Sequence, residues 1–420
     1  MGDHAYALGV TGLITLAAEA PVPNLDAGSL VLVLAAASGG AILSRLNTRI
    51  LLPTVVIEIL LGILIGPEGL GWAKIDTHID FLANFGLVFL FFFAGIELVE
   101  HRVARRSLLR GTAGWAISIA LGIAIGYTLN GAGLHAEGWL LGVALSTTAL
   151  GTLVPILADA RLLSTTLGSA VLGSGVAGEF WPILVVSIFL TGAYGALFET
   201  LLLLVFGAIV LLAAAAALRA RPPRVVRVLQ QTVHTTSQAA VRLSVFTLAA
   251  LVFVSVEAGF DFVLGAFAGG LVVGLALSSP EAIPVRMRLE GVGYGFLVPI
   301  YFVVTGMNFD LDSLLTPEGI GLAVIFLGLF LVVRGVPALL WLRDLAPRET
   351  LSLAVFSATG LPLIVAIVGI GIDRGAIGRD VGTSLIGAGM ISVLVLPLIA
   401  TALAQPESSP LDDARSESPA

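Results

Sequence analysis

Apolar residues along this 420-residue chain come in long unbroken runs, with neither the alternation of half-buried strands nor the narrow stripe of surface helices. A helix crossing a bilayer needs ~20 such residues. Read at that length, the pattern predicts about thirteen spans. They lie near 28–46, 52–71, 79–99, 108–130, 136–158, 164–191, 197–219, 238–258, 260–279, 288–308, 317–342, 350–371 and 381–404. Small residues recur inside them, as in Gly62-x-x-x-Gly66, and let helix backbones approach closely. The runs are too long and too uniform for barrel strands. The expected fold is an all-α polytopic membrane protein.

The polar residues between the runs add an orientation. Connections after spans 1, 3, 5, 7, 9 and 11 carry most of the basic residues, among them Arg45, Arg49, Arg102, Arg105, Arg106, Arg110, Arg161, Arg219, Arg286 and Arg348. The opposite connections hold only Lys74, Arg374 and Arg379, beside acids such as Asp76, Asp80, Glu137, Glu199, Asp261 and Asp310. The positive-inside rule then makes the odd-numbered connections cytoplasmic, with the N-terminus outside and the C-terminus inside.

Composition agrees: 12% of residues are charged and 57% hydrophobic, with mean hydropathy +1.04, against roughly 25% charged in soluble domains. The formal charge of −7 changes little. Cysteine is absent, which removes disulfides, thiolate metal sites and cysteine nucleophiles. Residues 1–27 read as an extracytoplasmic segment. Its apolar stretch 5–18 has no preceding basic residue, so cleavage at Ala18-Glu19-Ala20 is not expected. Residues 405–420, rich in Pro, Ser and Asp, read as a short disordered cytoplasmic tail with no appended soluble domain.

An internal repeat sharpens the count into an arrangement. FFFAGIEL at 91–98 and FVVTGMNF at 302–309 share a pattern, and aligning Gly95 with Gly306 gives an offset of 211. The same offset sets Ser146-Thr147-Thr148 on Ser357-Ala358-Thr359, span 1 on span 8 and span 6 on span 13. Seven spans is an odd number, so the second copy runs inverted through the membrane, an arrangement typical of secondary transporters.

Two equivalent spans are interrupted by polar and helix-breaking residues. Span 5 (ALSTTALGTLVPIL) has Ser146, Thr147, Thr148, Gly151 and Pro155 in mid-membrane, and span 12 (FSATGLPLIVAIVGIG) has Thr359, Gly360 and Pro362. Such residues favour an unwound stretch whose carbonyls and half-helix ends can coordinate a cation. The plain alternative is a pair of kinked helices whose hydroxyls bond back to the preceding turn. Ionisable groups deep in lipid are costly and mark function. Glu179 lies half-way along span 6 and Arg334 inside span 11, and a buried Glu179–Arg334 ion pair is the structural alternative to a transport role. Glu58 in span 2 could help a cation enter, and helix packing or an interface role reads equally well. Glu97, Glu257 and Asp261 fall near span ends, can reach headgroups or water and read as bland, although a mouth lined with acid would attract cations; Trp72, Trp115 and Trp341 read as interfacial anchors. The five histidines lie in loops or at ends and have no partner at metal-ligand spacing, and no Walker-type glycine loop is present. No cofactor, no nucleic-acid partner and no enzymatic chemistry are expected.

At these residues the chain resembles the monovalent cation–proton antiporter superfamily, in the branch of the glutathione-gated potassium efflux antiporters and bacterial sodium–proton exchangers. The resemblance covers about residues 30–400. It rests on LLPTVVIEILLGILIGPEGLG, FGLVFLFFFAGIEL, ALSTTALGTLVPILAD, YFVVTGMNFDL and the Arg-bearing span 11. It implies thirteen helices with two broken helices crossing beside a cation- and proton-binding carboxylate on the sixth, which matches Glu179. A basic residue on the family's eleventh helix matches Arg334. The chain departs at Gly178, where the family commonly has Asp, Asn or Gln before an Asp; sodium or potassium preference therefore cannot be carried over. The nucleotide-binding regulatory domain of the gated branch is not expected.

The combined expectation is a homodimeric plasma-membrane exchanger of Na⁺ or K⁺ for H⁺. Its core would be spans at about 79–191 and 288–404, its scaffold or dimer domain spans at about 28–71 and 238–279, and its linker about 197–219. Cation and proton would compete at Glu179, with oxygens of Ser146, Thr147, Thr148 and Thr359 completing the shell. One acid at the site implies electroneutral one-for-one exchange. A sodium-coupled organic-anion symporter using Arg334 as anchor and a non-transporting sensor are the alternative readings.

Overall fold

The structure, a computed structural model, describes residues 26–46, 53–100, 104–189, 238–278 and 282–404, with isolated positions between 207 and 215. The apolar runs within these residues are helical. They form α1 (Ala27–Leu46), α2 (Thr54–Ile65), α3 (Thr77–Glu100), α4 (Arg105–Gly131), α5 (Gly138–Leu145), α6 (Leu150–Asp159) and α7 (Thr166–Phe189). After the gap come α8 (Ala239–Glu257), α9 (Phe262–Ala276), α10 (Ile283–Met307), α11 (Pro317–Trp341), α12 (Pro347–Ser357), α13 (Pro362–Asp373) and α14 (Arg379–Ala404). Among the described residues there is no strand beyond an isolated antiparallel bridge between Ala136 and Ile377. Nine helical segments there are long and apolar enough to span a bilayer, and shorter apolar helices accompany them. The expected span at 197–219 falls almost wholly outside the described residues, as do residues 1–25 and the tail 405–420.

Local chemistry sets the helix ends. The Thr316 side chain accepts from the Gly319 amide ahead of Pro317 at the first turn of α11, and Asp261 caps α9 through the Val263 amide. Pro347 and Pro362 likewise open α12 and α13, where a missing N–H costs nothing.

The connections gather by parity on two faces. On the even face the Asp26 amide donates to Asp76, Gly378 donates to the His135 carbonyl, and Arg374 pairs with Asp261. On the odd face Arg106 and Arg110 both pair with Asp344. Close helix contacts hold the layers together. A Cβ on Gly62 of α2 would lie 2.0 Å from the Val303 carbonyl of α10, and one on Gly95 of α3 would lie 2.2 Å from the Phe267 carbonyl of α9. Bulkier residues there would drive those helix pairs apart.

Two expectations for tryptophan are corrected. Trp115 is buried against Trp181, with ring centroids 5.8 Å apart, and Trp341 is buried beneath the Arg110 guanidinium. Both serve helix packing, since each has an aromatic or cationic partner inside the bundle. Trp72 is exposed.

Candidate functional site

Both interrupted spans are broken. α5 ends at Leu145 and α6 begins at Leu150; α12 ends at Ser357 and α13 begins at Pro362. The two breaks touch. The Ala149 amide donates to the Thr359 carbonyl at 2.8 Å, and the Thr148 hydroxyl donates to the Ser357 carbonyl at 2.6 Å. Backbone groups freed by one break are thus satisfied by the other, as a buried site requires. The hydroxyls of Ser146 and Thr147 bond back to the Val143 and Ala144 carbonyls, and Thr359 to Val355. These residues are fully buried behind the site and do not face its cavity. Gly360 is held by Ser392, which accepts from its amide at 3.2 Å and donates to its carbonyl at 3.0 Å. Gly151 and Pro362, in the first turns of α6 and α13, do line the cavity, whereas Pro155 lies farther along α6.

Four half-helix ends meet here: the C-termini of α5 and α12, which carry partial negative charge, and the positive N-termini of α6 and α13. Arg334 sits at the negative ends. Its Nε donates to Thr148 Oγ1 at 2.9 Å and to the Ser357 carbonyl at 3.4 Å, its Nη1 to Ser118 Oγ at 3.1 Å, and its Nη2 to the Ser174 carbonyl at 2.9 Å. No Glu179–Arg334 ion pair forms among the described residues, so the paired arrangement open from the sequence is corrected. Carbonyls and hydroxyls of three helices and of the α5–α6 break satisfy the guanidinium instead. Arg334 also stays out of the cavity lining and offers no anchor for an organic anion there. Gly178 accounts for part of this placement. A Cβ at Gly178 would lie 2.7 Å from Arg334 Nη2 and 2.9 Å from Thr148 Cβ, so the missing side chain is space the arginine uses.

Glu179 occupies the complementary place. It extends from mid-α7 toward the start of α6, where the Leu150 amide interacts with its carboxylate. A carboxylate at a helix N-terminus is favourably placed. It lines a cavity of about 780 Å³ that runs toward the odd face past Thr54, Glu58, Glu97 and Tyr294.

Glu97 is not the bland span-end group its position suggests. It is part-exposed, faces the same cavity and interacts electrostatically with Glu179. The Tyr294 hydroxyl donates to its Oε1 at 3.0 Å, and a Cβ on Gly151 would lie 3.3 Å from its Oε2. Tyr294 sits on a π-helical turn, Gly293–Leu297, inside α10 and stacks on Phe93 at 4.5 Å between centroids. Such turns re-aim side chains and are frequent at functional sites. Neither the turn nor Tyr294 is visible in the hydropathy pattern. The premise of a single acid at the site therefore does not hold. Thr152, on the face of α6 toward the cavity, is likewise unmarked by the sequence pattern.

A second cavity, of about 260 Å³, lies toward the even face and is lined by Asp80, Asn84, Asn308, Asp373 and Arg379. Along α3 the lining passes from Asp80–Leu87 in this cavity to Leu90–Glu97 in the first. The two are therefore arranged end to end. Beside the smaller one, Arg374 Nη2 pairs at 3.0 Å with Asp261, which this pairing buries, contrary to the solvated reading from its span-end position.

A bundle of this kind, with two broken helices crossing beside Glu179, Glu97 and Arg334, defines a polytopic membrane fold. The chain belongs to the family of sodium/hydrogen exchanger transmembrane proteins, whose model matches residues 31–405. Among curated relatives, YjbQ of Bacillus subtilis is 28% identical over 408 residues, covering 92% of this chain and 64% of its own. Cation/H(+) antiporter 15 of Arabidopsis thaliana is 23% identical over 84% of this chain and 45% of its own. The Na(+)/H(+)-K(+) antiporter GerN of Bacillus cereus is 24% identical, with 84% of this chain and 90% of its own aligned. The chain thus spans less than two thirds of the first two relatives. The fold also matches the solved structure of the sodium proton antiporter MjNhaP1 from Methanocaldococcus jannaschii at pH 8. That match has a TM-score of 0.61 at 16% identity and covers 89% of this chain and 95% of the other.

Proposed function

We propose that this chain exchanges a monovalent cation, Na⁺ or K⁺, for H⁺ by alternating access, with Glu179 binding one or the other. The observation that carries the reading is the position of Glu179: mid-helix, beside the crossing of two broken helices, at the inner end of a cavity. A carboxylate there can hold a proton or be neutralised by a cation, and little else would be tolerated in lipid. Family membership and the antiporter names of its relatives support the same reading. Glu97 and the Thr152 hydroxyl supply further oxygens facing the cavity. Thr148 and Thr359 act by tying the crossing, and Arg334 offsets the half-helix ends. The protein acts by transport, not by chemistry on its substrate.

The arrangement proposed for the whole is an inverted repeat in a plasma-membrane homodimer. Helix bounds support the repeat: Ala27–Leu46 shifted by 211 falls on 238–257, against Ala239–Glu257, and Arg105–Gly131 falls on 316–342, against Pro317–Trp341. α1 starts at the even face, where Asp26 meets Asp76, whereas α8 runs toward it, ending beside Asp261. The arginine-rich odd face is taken as cytoplasmic, which makes the larger cavity inward-facing. The core comprises α3–α7 and α10–α14, and the scaffold α1–α2 and α8–α9.

One-for-one electroneutral exchange follows if Glu179 alone changes state while Glu97 stays tied to Tyr294. The presence of Glu97 favours testing a second cycle, in which both acids turn over and charge moves. Purified protein in liposomes with an internal pH dye tests both, against Na⁺, K⁺ and Li⁺ at about pH 6 to 9. Glu179→Gln should show no cation-driven proton movement above protein-free vesicles, and wild-type exchange in that variant would sink the mechanism. Collapsing the membrane potential should leave an electroneutral rate unchanged and accelerate an electrogenic one.

A further inference from the structure

Glu58 is an ionisable group of the larger cavity that the exchange at Glu179 leaves unused. It lies one turn into α2, is only 3% exposed, and lines the larger cavity from the side opposite α7. Among the described residues it makes no hydrogen bond and no ion pair. Its stem crosses α1 at Gly40, where a Cβ would lie 2.8 Å from Glu58 Cγ. The same point lies 3.7 Å from Glu58 Oε1, which places the carboxyl group between α1 and the cavity. Thr54, four residues earlier and so on the same helix face, lines the same wall. Ser38 lines it from α1, and its hydroxyl donates to the Leu34 carbonyl at 2.8 Å, which leaves its lone pairs available.

A buried carboxylate without a partner is not a stable arrangement. It must be neutral or be neutralised by something that comes and goes. Helix packing alone does not require an acid here, since a Leu or Met of similar length would fill the gap between α1 and the cavity without a desolvation cost. Oxygen ligands on a cavity wall suit a hard, weakly held cation.

Resting on the reading that cations reach Glu179 through this cavity, we infer that Glu58 is a second monovalent-cation site. It lies on the scaffold wall, with the Ser38 and Thr54 hydroxyls beside it, and holds the ion before transfer to Glu179. The site belongs to the part of the molecule proposed to stay still, whereas Glu179 belongs to the part proposed to move. It raises the local concentration of the ion and is emptied at each transfer, so it sets apparent affinity and not turnover.

Equilibrium binding of ²²Na⁺ and ⁸⁶Rb⁺ to the purified full chain tests this at a pH where carboxylates are ionised. In the Glu179→Gln background binding should persist, and adding Glu58→Gln should remove a component of about one ion per chain. In liposomes Glu58→Gln alone should raise the cation KM about tenfold and leave kcat within about twofold. Glu58→Asp should restore most of the binding, which a purely structural role would not predict. Gln matches the neutral form of Glu58 in shape, and the Asp variant keeps the test informative if the Gln variant misfolds. Equal binding by Glu179→Gln and the double variant would overturn the inference, as would an unchanged KM in Glu58→Gln. Failure of the Glu179 mechanism would show separately, as undiminished exchange by Glu179→Gln.

Discussion

At the scale of single residues, the arrangement of charge follows the half-helix ends. Arg334 meets the negative C-terminus of α12 through the Ser357 carbonyl, and Glu179 meets the positive start of α6 at Leu150. Gly178 is the hinge of that placement, because its missing side chain leaves room for Nη2 of Arg334. Gly178→Ala should therefore cost ~1–3 kcal/mol of stability through overpacking, read as a lower melting temperature of the purified protein. A variant as stable as wild type would show that the guanidinium has other places to go. Glu179 is legible in the sequence because an acid in the middle of a long apolar run costs too much to be kept without a use. The partners of Arg334 are not, because a long guanidinium can reach several elements and hydropathy does not say which. Glu97 is hard to read for a related reason. Its closeness to a span end suggests water, whereas the packing of α3 against α10 turns it into the cavity under Tyr294.

At the scale of elements, the two breaks are readable from Ser, Thr, Gly and Pro falling together in mid-span. The same pattern suggests that their hydroxyls serve the ion, yet most cap the preceding helix or tie the crossing. Short hydroxyls bond to the nearest carbonyl, and in a broken helix that carbonyl is the one just left unpaired. Contacts between elements also suggest what holds the even face closed. Asp261 at the start of α9 pairs with Arg374 at the end of α13, joining proposed scaffold to proposed core. Asp261→Asn should loosen that face. The chain has no cysteine, so a single Thr305→Cys in the smaller cavity can report it. Its labelling by an impermeant maleimide should rise severalfold in the Asp261→Asn background, and unchanged labelling would mean that the pair is no latch.

On the odd face, the Arg110 side chain bonded to Asp344 holds that carboxyl below the usual aspartate range, with Arg106 adding to the effect. Its folded pKa is lowered, so the stabilisation is complete above the unfolded aspartate range and is lost as pH falls through the folded value. Asp344→Asn should therefore lower the melting temperature at neutral pH and not at strongly acidic pH. A deficit that persists undiminished in acid would contradict the ion pair as its cause.

At the scale of the whole molecule, two cavities lie end to end along α3, and only the larger reaches Glu179. An inverted repeat offers a physical reason for this asymmetry, since exchanging the conformations of the two halves would exchange the open face. Alternation of basic connections anticipates the two faces, which loop contacts then gather by parity. In the proposed mechanism, competition at Glu179 makes such an alternation an exchange, because a site that held both ions or neither would not couple them. The direct measurement is proton release on cation binding, followed with a pH dye in weakly buffered detergent solution. The account predicts that wild type releases protons as Na⁺ or K⁺ binds, that apparent affinity weakens about tenfold for each pH unit below the pKa of the site, that Glu179→Gln loses the share of release belonging to Glu179, and that the Glu58→Gln, Glu179→Gln double variant releases none. Cation binding with the same affinity at every pH, or full proton release from Glu179→Gln, would contradict it.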